Sequence, residues 1–197
     1  TGAKVTTMKI GGRIELLTPE TFDEFKDLVC RMQTESHPYC MIGRGSNSVI
    51  ADTTDVPFIV TTRIHKVTHL GDGRFFVEAG APLQKIIKTA RAKGFGGIEF
   101  LNSVPGTLGG AVFMNAGENV TSENHLGRFV EEVVVFRRGG MMTVPASWCR
   151  FGYRTSIFHY QPDTVIAGAI LKLLPMTDAE IKSGLDRRAK ISAGFYD

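Results

Sequence analysis

The chain has 197 residues, 43% of them hydrophobic, and 23 Lys and Arg against 20 Asp and Glu leave a net charge of +3. That apolar content is ample for one ordinary domain or two small lobes sharing a core, and a balanced charge without a basic block argues against nucleic acid or an anionic membrane as partner. Cys30, Cys40 and Cys149 show no CxxC spacing, which argues against a disulfide framework and a zinc site.

No apolar run reaches membrane-spanning length, and the start "TGAKVTTMKI" lacks the apolar core of a signal peptide, leaving open only a targeting segment removed upstream. A soluble protein with free or buried thiols in a reducing cytosol is expected.

In chain order, "TPETFDEFKDLVCRMQTES" predicts a helix with Thr18 as N-cap, Pro19 at its first position and Phe22, Phe25, Leu28, Val29 and Met32 on one buried face. The runs "YCMIG", "SVIAD" and "PFIVTTR" read as strands, and "KVTHLGDGRFFVEAG" as a hairpin turning at Gly71-Asp72-Gly73. "PLQKIIKTARAKG" sets Leu83, Ile86, Ile87 and Ala90 on one helical face, with Gly94 as a left-handed C-cap.

Further on, "EEVVVFRR" and "MMTVP" flank Gly139-Gly140 as a second hairpin, "TVIAGAILKLLP" is one more strand, and Thr177 with Glu180 forms a capping box that opens a last helix. The order has neither a βαβ period nor a repeat. It implies an α+β fold of two lobes, divided near residues 62 to 66.

Two glycine-rich segments interrupt this pattern. "GRGSNS", Gly43 to Ser48, matches a dinucleotide fingerprint until its last position, where Ser48 and the strand-like "VIAD" replace the third glycine and its helix. By itself the loop reads as a tight turn between strands, although its glycines would also let backbone amides form an anion nest beside Ser46, Asn47 and Ser48.

The second segment, "SVPGTLGGAVFMNAG", tips that balance. Pro105-Gly106 forces a turn, Gly109-Gly110 permits close backbone approach, and Ala111 to Met114 begin a short helix. Polar donors set among Val104, Leu108, Val112, Phe113 and Met114 need partners, which a diphosphate cofactor held between two nests would supply. The competing reading is a small-residue loop packed on a sheet.

The ordered set "IGRGSNSVI", "PGTLGGAVFMNAG" and "CRFGYRTSIF", preceded by "TTMKIGG", resembles the UDP-N-acetylenolpyruvoylglucosamine reductases, flavoenzymes of peptidoglycan synthesis, from about Thr6 to the last helix. The resemblance implies a two-lobed FAD-binding domain of the vanillyl-alcohol-oxidase (PCMH) type, with residues 1–64 and 65–175 as lobes and 176–197 as a helix leading towards a third, substrate domain that this chain lacks. It also implies a cytoplasmic oxidoreductase of cell-wall biogenesis that reduces the enolpyruvyl group of a UDP-sugar, with NADPH as co-substrate.

By the same resemblance, Gly43, Arg44, Gly45, Ser46, Asn47 and Ser48 wrap the FAD pyrophosphate, and Pro105, Gly106, Thr107, Gly109, Gly110, Asn115, Ala116 and Gly117 line the rest of the cofactor. Without a histidine in the first loop, the flavin is expected to be non-covalent. Arg154 would grip the substrate carboxylate with two parallel hydrogen bonds, Tyr153 is its neighbour in the substrate site, and the motif outweighs the alternative of a surface arginine at a strand end.

His37, His65, His69, His125 and His159 are scattered, so no metal pair is expected. Glu118, Glu123 and Glu131 have no evident partners and read as solvated.

The resemblance also exposes departures. The family's third domain supplies a proton-donor serine from a "SAGSxFKNP"-like segment and a glutamate near the carboxyl end; here "SAGFYD" puts Phe195 where the serine would stand, and no position corresponds to the glutamate. Phenylalanine has no proton to give. Three explanations stay open: a fragment, a sequence with residues spliced out, or a shortened FAD-binding module without the reductase activity.

Overall fold

A computed structural model describes residues 1–7, 9–118 and 124–193. Phe195 and Glu123 lie outside them.

Two sheets organise the fold. The smaller joins β1 (Leu16–Leu17), β2 (Cys40–Ile42) and β3 (Phe58–Val60) in the order β1-β3-β2, all parallel, with helix α1 (Phe22–Thr34) between β1 and β2. The sequence shows no βαβ period because strands of two or three residues are too short to print one.

The larger sheet is antiparallel, in the order β4-β5-β9-β7-β8, from β4 (Val67–Gly71), β5 (Arg74–Glu78), β7 (Val130–Arg137), β8 (Gly140–Pro145) and β9 (Thr164–Lys172). Between β5 and β7 the chain forms α2 (Leu83–Arg91), β6 (Phe95–Gly96) and α3 (Leu108–Phe113); after β9 come β10 (Leu174–Pro175), which pairs with β6, and α4 (Asp178–Ala193).

Both hairpins turn through two left-handed residues, Asp72-Gly73 and Arg138-Gly139, the geometry whose twist suits two-residue loops. The second turn thus sits one residue earlier than expected, and Gly140 already belongs to β8.

β9 is covered on both faces. Val165 and Ala167 meet Phe25, Val29 and Met32 of α1, whereas Ile166, Ala169 and Leu171 meet the cluster containing Leu83, Ile86, Ile87 and Ala90 of α2 and Leu108 and Val112 of α3. Residues 167 and 169 would share a face in a regular strand, but β9 is paired to β7 through a register shift between Val134↔Gly168 and Val135↔Ile166. That bulge turns the later odd-numbered residues to the other side.

Helix α1 starts later than its sequence implies. Thr21 is the N-cap, its hydroxyl accepting from the Glu24 amide at 3.1 Å, and Thr18 and Pro19 lie outside the helix, because the Glu24 carboxylate closes the first turn by accepting from the Glu20 amide at 2.9 Å. "SVIAD" is not a strand either: its backbone contributes the Gly12 amide to Ala51 carbonyl and Arg13 amide to Asp52 carbonyl bonds, with one bridge at Thr53. The single strand expected over "TVIAGAILKLLP" breaks at Leu173, whose amide donates to the Gly73 carbonyl at 2.8 Å.

At α4 the expected capping box is present, the Thr177 amide donating to Glu180 Oε2 at 2.7 Å and the Glu180 amide to Thr177 Oγ1 at 3.3 Å. Arg91 anchors the helix start to α2 by a fork onto both Asp178 oxygens, at 2.5 and 2.8 Å.

The Arg91 hydrogen bond and charge hold the Asp178 carboxyl below its ordinary pKa. A depressed carboxylate contributes stability above its unfolded pKa and loses it as pH falls through the folded value. Asp178→Asn should therefore lower the thermal midpoint at neutral pH, and the gap from the parent chain should close below about pH 4 in melts followed across pH.

Candidate functional site

The first glycine loop leaves the carboxyl end of β2, the side of parallel strands where ligands are commonly received. Gly45 holds a left-handed φ of +57°, and a Cβ there would lie 2.2 Å from the Val5 carbonyl oxygen and 2.8 Å from Thr6 Cα. The amino-terminal segment closes that underside, with the Thr7 amide donating to the Gly45 carbonyl at 3.1 Å and Thr7 Oγ1 to the Arg44 carbonyl at 3.4 Å.

The second segment runs beside residues 79–83. Leu83 donates to the Gly106 carbonyl, Leu108 to Ala81 and Gly109 to Ala79, at 3.3, 2.9 and 2.8 Å, so the segment is pinned before α3 begins. Helix α3 starts at Leu108, three residues ahead of the Ala111 expected, because Thr107 already has extended N-cap geometry.

These two segments, remote in sequence, meet in space. A Cβ on Gly43 would come within 2.3 Å of Thr107 Oγ1, and one on Gly106 within 3.8 Å of Ser46 Oγ. Among the described residues, no acceptor within the chain serves the amides of residues 44–48 or the side chains of Ser46, Asn47 and Ser48, which leaves a row of neutral donors with the exposed Arg44 beside it.

Not every candidate glycine is open. Gly109 fits against Ala79 and Gly117 against Asn124 and His125, so neither has room for a Cβ, whereas Cβ atoms on Gly106 and Gly110 would meet nothing nearer than 3.7 and 3.9 Å. Ala116 is buried, its amide bonded to the Ala111 carbonyl at 2.8 Å. The open glycines, the amide row and the Ser46 and Thr107 hydroxyls fit a diphosphate-bearing cofactor.

Arg154 sits at the opposite end of α3, whose six residues span ~9 Å. Gly152 and Thr155 exchange backbone hydrogen bonds at 3.0 and 3.3 Å, closing a tight loop with Tyr153 and Arg154 at its tip. Tyr153 is 57% exposed. Arg154 has a φ of +54°, a conformation costing an L-residue roughly 1–2 kcal/mol, and its Nη2 lies 3.5 Å from the Glu118 carbonyl oxygen.

Two buried side chains fasten this loop to the segment after α3. Asn115 Nδ2 donates to the Gly152 carbonyl at 2.8 Å while its Oδ1 accepts from the Gly127 amide at 2.8 Å, and Ser156 Oγ donates to the Phe113 carbonyl at 2.6 Å. Ser156 lies inside the motif "CRFGYRTSIF", yet the sequence assigned it no role, because nothing in it shows that the fold brings the Phe113 carbonyl to its hydroxyl.

Of the carboxylates read as solvated, Glu118 and Glu131 are paired. Glu118 accepts from Asn124 Nδ2 at 2.8 Å and faces Arg188 at 3.8 Å, and Glu131 accepts from Arg74 Nε at 2.5 Å. Arg188 and Arg74 are distant in sequence, so spacing could not show these ion pairs.

Burial pushes the Cys149 thiol up to about 11, which removes it as a nucleophile at neutral pH. Among the described residues no His, Cys, Asp and Glu cluster could hold a metal, and no helix is long and apolar enough to cross a membrane.

Residues 15–144 match the family described as FAD binding domain. The UDP-N-acetylenolpyruvoylglucosamine reductase of Pelobacter propionicus is 30% identical over 96% of this chain and 65% of its own length, and that of Synechococcus is 34% identical over 89% and 56%. The crystal structure of UDP-N-acetylenolpyruvylglucosamine reductase from Thermus caldophilus superposes with a TM-score of 0.79 at 31% identity, over 98% of this chain and 67% of that one. The chain thus spans somewhat under two thirds of the curated relatives' length.

Packing glycines and open glycines respond differently to a methyl group. Gly45→Ala should destabilise the ligand-free protein by ~1–3 kcal/mol, since the backbone of Val5 and Thr6 must move. Gly110→Ala, exposed and inside α3, should raise stability by up to ~1 kcal/mol yet weaken FAD binding. Denaturant melts and flavin titration of both variants check the contrast.

Proposed function

The chain belongs to the UDP-N-acetylenolpyruvoylglucosamine reductase family and carries its FAD binding domain, and on that premise we propose that it binds FAD between its two glycine segments and serves NADPH-dependent reduction of the enolpyruvyl group of UDP-N-acetylglucosamine enolpyruvate. The observation that carries this reading is the meeting of Gly43 with Thr107, which joins the open amides of residues 44–48 to the segment from which the Arg154 loop hangs. Synthesis of the peptidoglycan precursor UDP-N-acetylmuramate in the cytoplasm follows from the same reading.

The amides of residues 44–48, Ser46 and Thr107 would hold the pyrophosphate, with Arg44 offsetting its charge, while Gly106 and Gly110 leave room for the rest of the cofactor. FAD, when bound, supplies two-electron hydride chemistry between the nicotinamide and the enolpyruvyl double bond. Negative charge then grows on the carbon beside the substrate carboxylate. The Arg154 guanidinium, fixed in charge and forked, pairs with that carboxylate and stabilises the developing charge; a proton delivered to the same carbon completes reduction of the double bond as the nicotinamide is oxidised.

The full-length protein should purify yellow, bleach anaerobically on NADPH and recover colour on the UDP-sugar. Arg154→Ala should keep its flavin and its bleaching by NADPH, and recover colour ~10²- to ~10³-fold more slowly. A colourless protein that cannot be reconstituted with FAD would refute the proposal, as would normal recovery in the variant.

A further inference from the structure

We infer that Asn115 and Ser156 are positioning residues for Arg154, locking the loop that carries it onto the cofactor-lining segment, so that Asn115 serves the substrate half of the reaction through its side chain rather than the flavin. This rests on the reading of Arg154 above.

Three observations carry it. Asn115 is 3% exposed, and its side chain is engaged within the protein at both ends, the donor on the Gly152 carbonyl and the acceptor on the Gly127 amide. Ser156, 1% exposed, ties the far side of the same loop to the last carbonyl of α3. Between these two fastenings Arg154 is held in a left-handed conformation that glycine would adopt at less cost, the type of local strain that persists only where the surroundings over-determine it.

Position 115 has its own reason to be asparagine. Its φ is +43°, which Asn tolerates better than most residues, and only a side chain with a donor and an acceptor on one planar group can bridge Gly152 and Gly127. Gly127 completes the fit, since a Cβ there would lie 2.9 Å from Asn115 Oδ1 and 2.7 Å from the Phe151 ring. The loop therefore moves with the segment after α3 as one piece.

Asn115→Asp keeps the acceptor for Gly127 and loses the donor for Gly152; Ser156→Ala cuts the other fastening. In the full-length holoenzyme each should retain flavin affinity and reduction by NADPH within about twofold of the parent, while flavin reoxidation by the UDP-sugar slows ~10- to ~10²-fold, the scale expected for a reacting group displaced by about 1 Å. Calorimetric affinity for the UDP-sugar should fall alongside. Because both act through the guanidinium, either variant combined with Arg154→Ala should be little slower than Arg154→Ala alone.

Slow reoxidation in Arg154→Ala with normal reoxidation in both positioning variants would overturn this inference and leave the proposed function standing. Loss of flavin affinity in Asn115→Asp, with normal reoxidation per bound flavin, would overturn it in favour of a direct cofactor contact. Normal reoxidation in Arg154→Ala would overturn both readings together.

Discussion

The candidate site depends on backbone hydrogen bonding between residues 79–83 and 106–109. Three amide–carbonyl bonds, from Leu83 to Gly106, Leu108 to Ala81 and Gly109 to Ala79, lay the second glycine segment alongside the turn that joins β5 to α2. Ala79, Gly80, Ala81 and Leu83 are themselves buried, and the stretch is tied to the large sheet, the Ala79 amide donating to the Ala167 carbonyl of β9 at 2.9 Å. The segment therefore inherits the rigidity of the sheet although most of it is loop. A bound anion needs that, because donors that must first be ordered give back in entropy much of what they gain.

From this fixed segment the remaining geometry follows. Thr107 faces Gly43 across a gap too small for a methyl group, which brings the end of β2 to the start of α3. The short α3 carries the chain to Asn115, and Asn115 with Ser156 carries it to the Arg154 loop. The site thus has two ends, a row of backbone and hydroxyl donors beside Arg44 at one and the Arg154 guanidinium at the other. α4 braces the outer side, with Arg188 Nε donating to Ser103 Oγ at 2.6 Å just ahead of Pro105.

Features whose cause is local could be read from the chain alone. The Thr177–Glu180 capping box and the Asp72-Gly73 turn are complete within a few residues, and both formed as their residue types dictate. The apolar face of α2 likewise needed only its own spacing. Features that depend on a distant partner were hidden. The close packing of Gly109 on Ala79 and of Gly117 on Asn124 and His125 leaves no mark in the sequence, and Glu118 and Glu131 looked solvated because Arg188 and Arg74 lie far along the chain. Leu16–Leu17 becomes a strand only because β3 is there to pair with it. A glycine has one signature in sequence and two physical uses, close packing and ligand approach, and only the neighbours distinguish them.

The bulge in β9 constrains how such a chain can change its length. Val165 and Ala167 serve the α1 side and Ala169 and Leu171 the α2 side because one residue is skipped in the pairing with β7. Deleting any residue between 165 and 171 would swap apolar faces between two cores of different depth, a change no repacking of single side chains repairs. The two hairpin tips tolerate such changes no better, since Gly73 packs against Leu173 and Phe95 and Gly139 against Thr34 of α1.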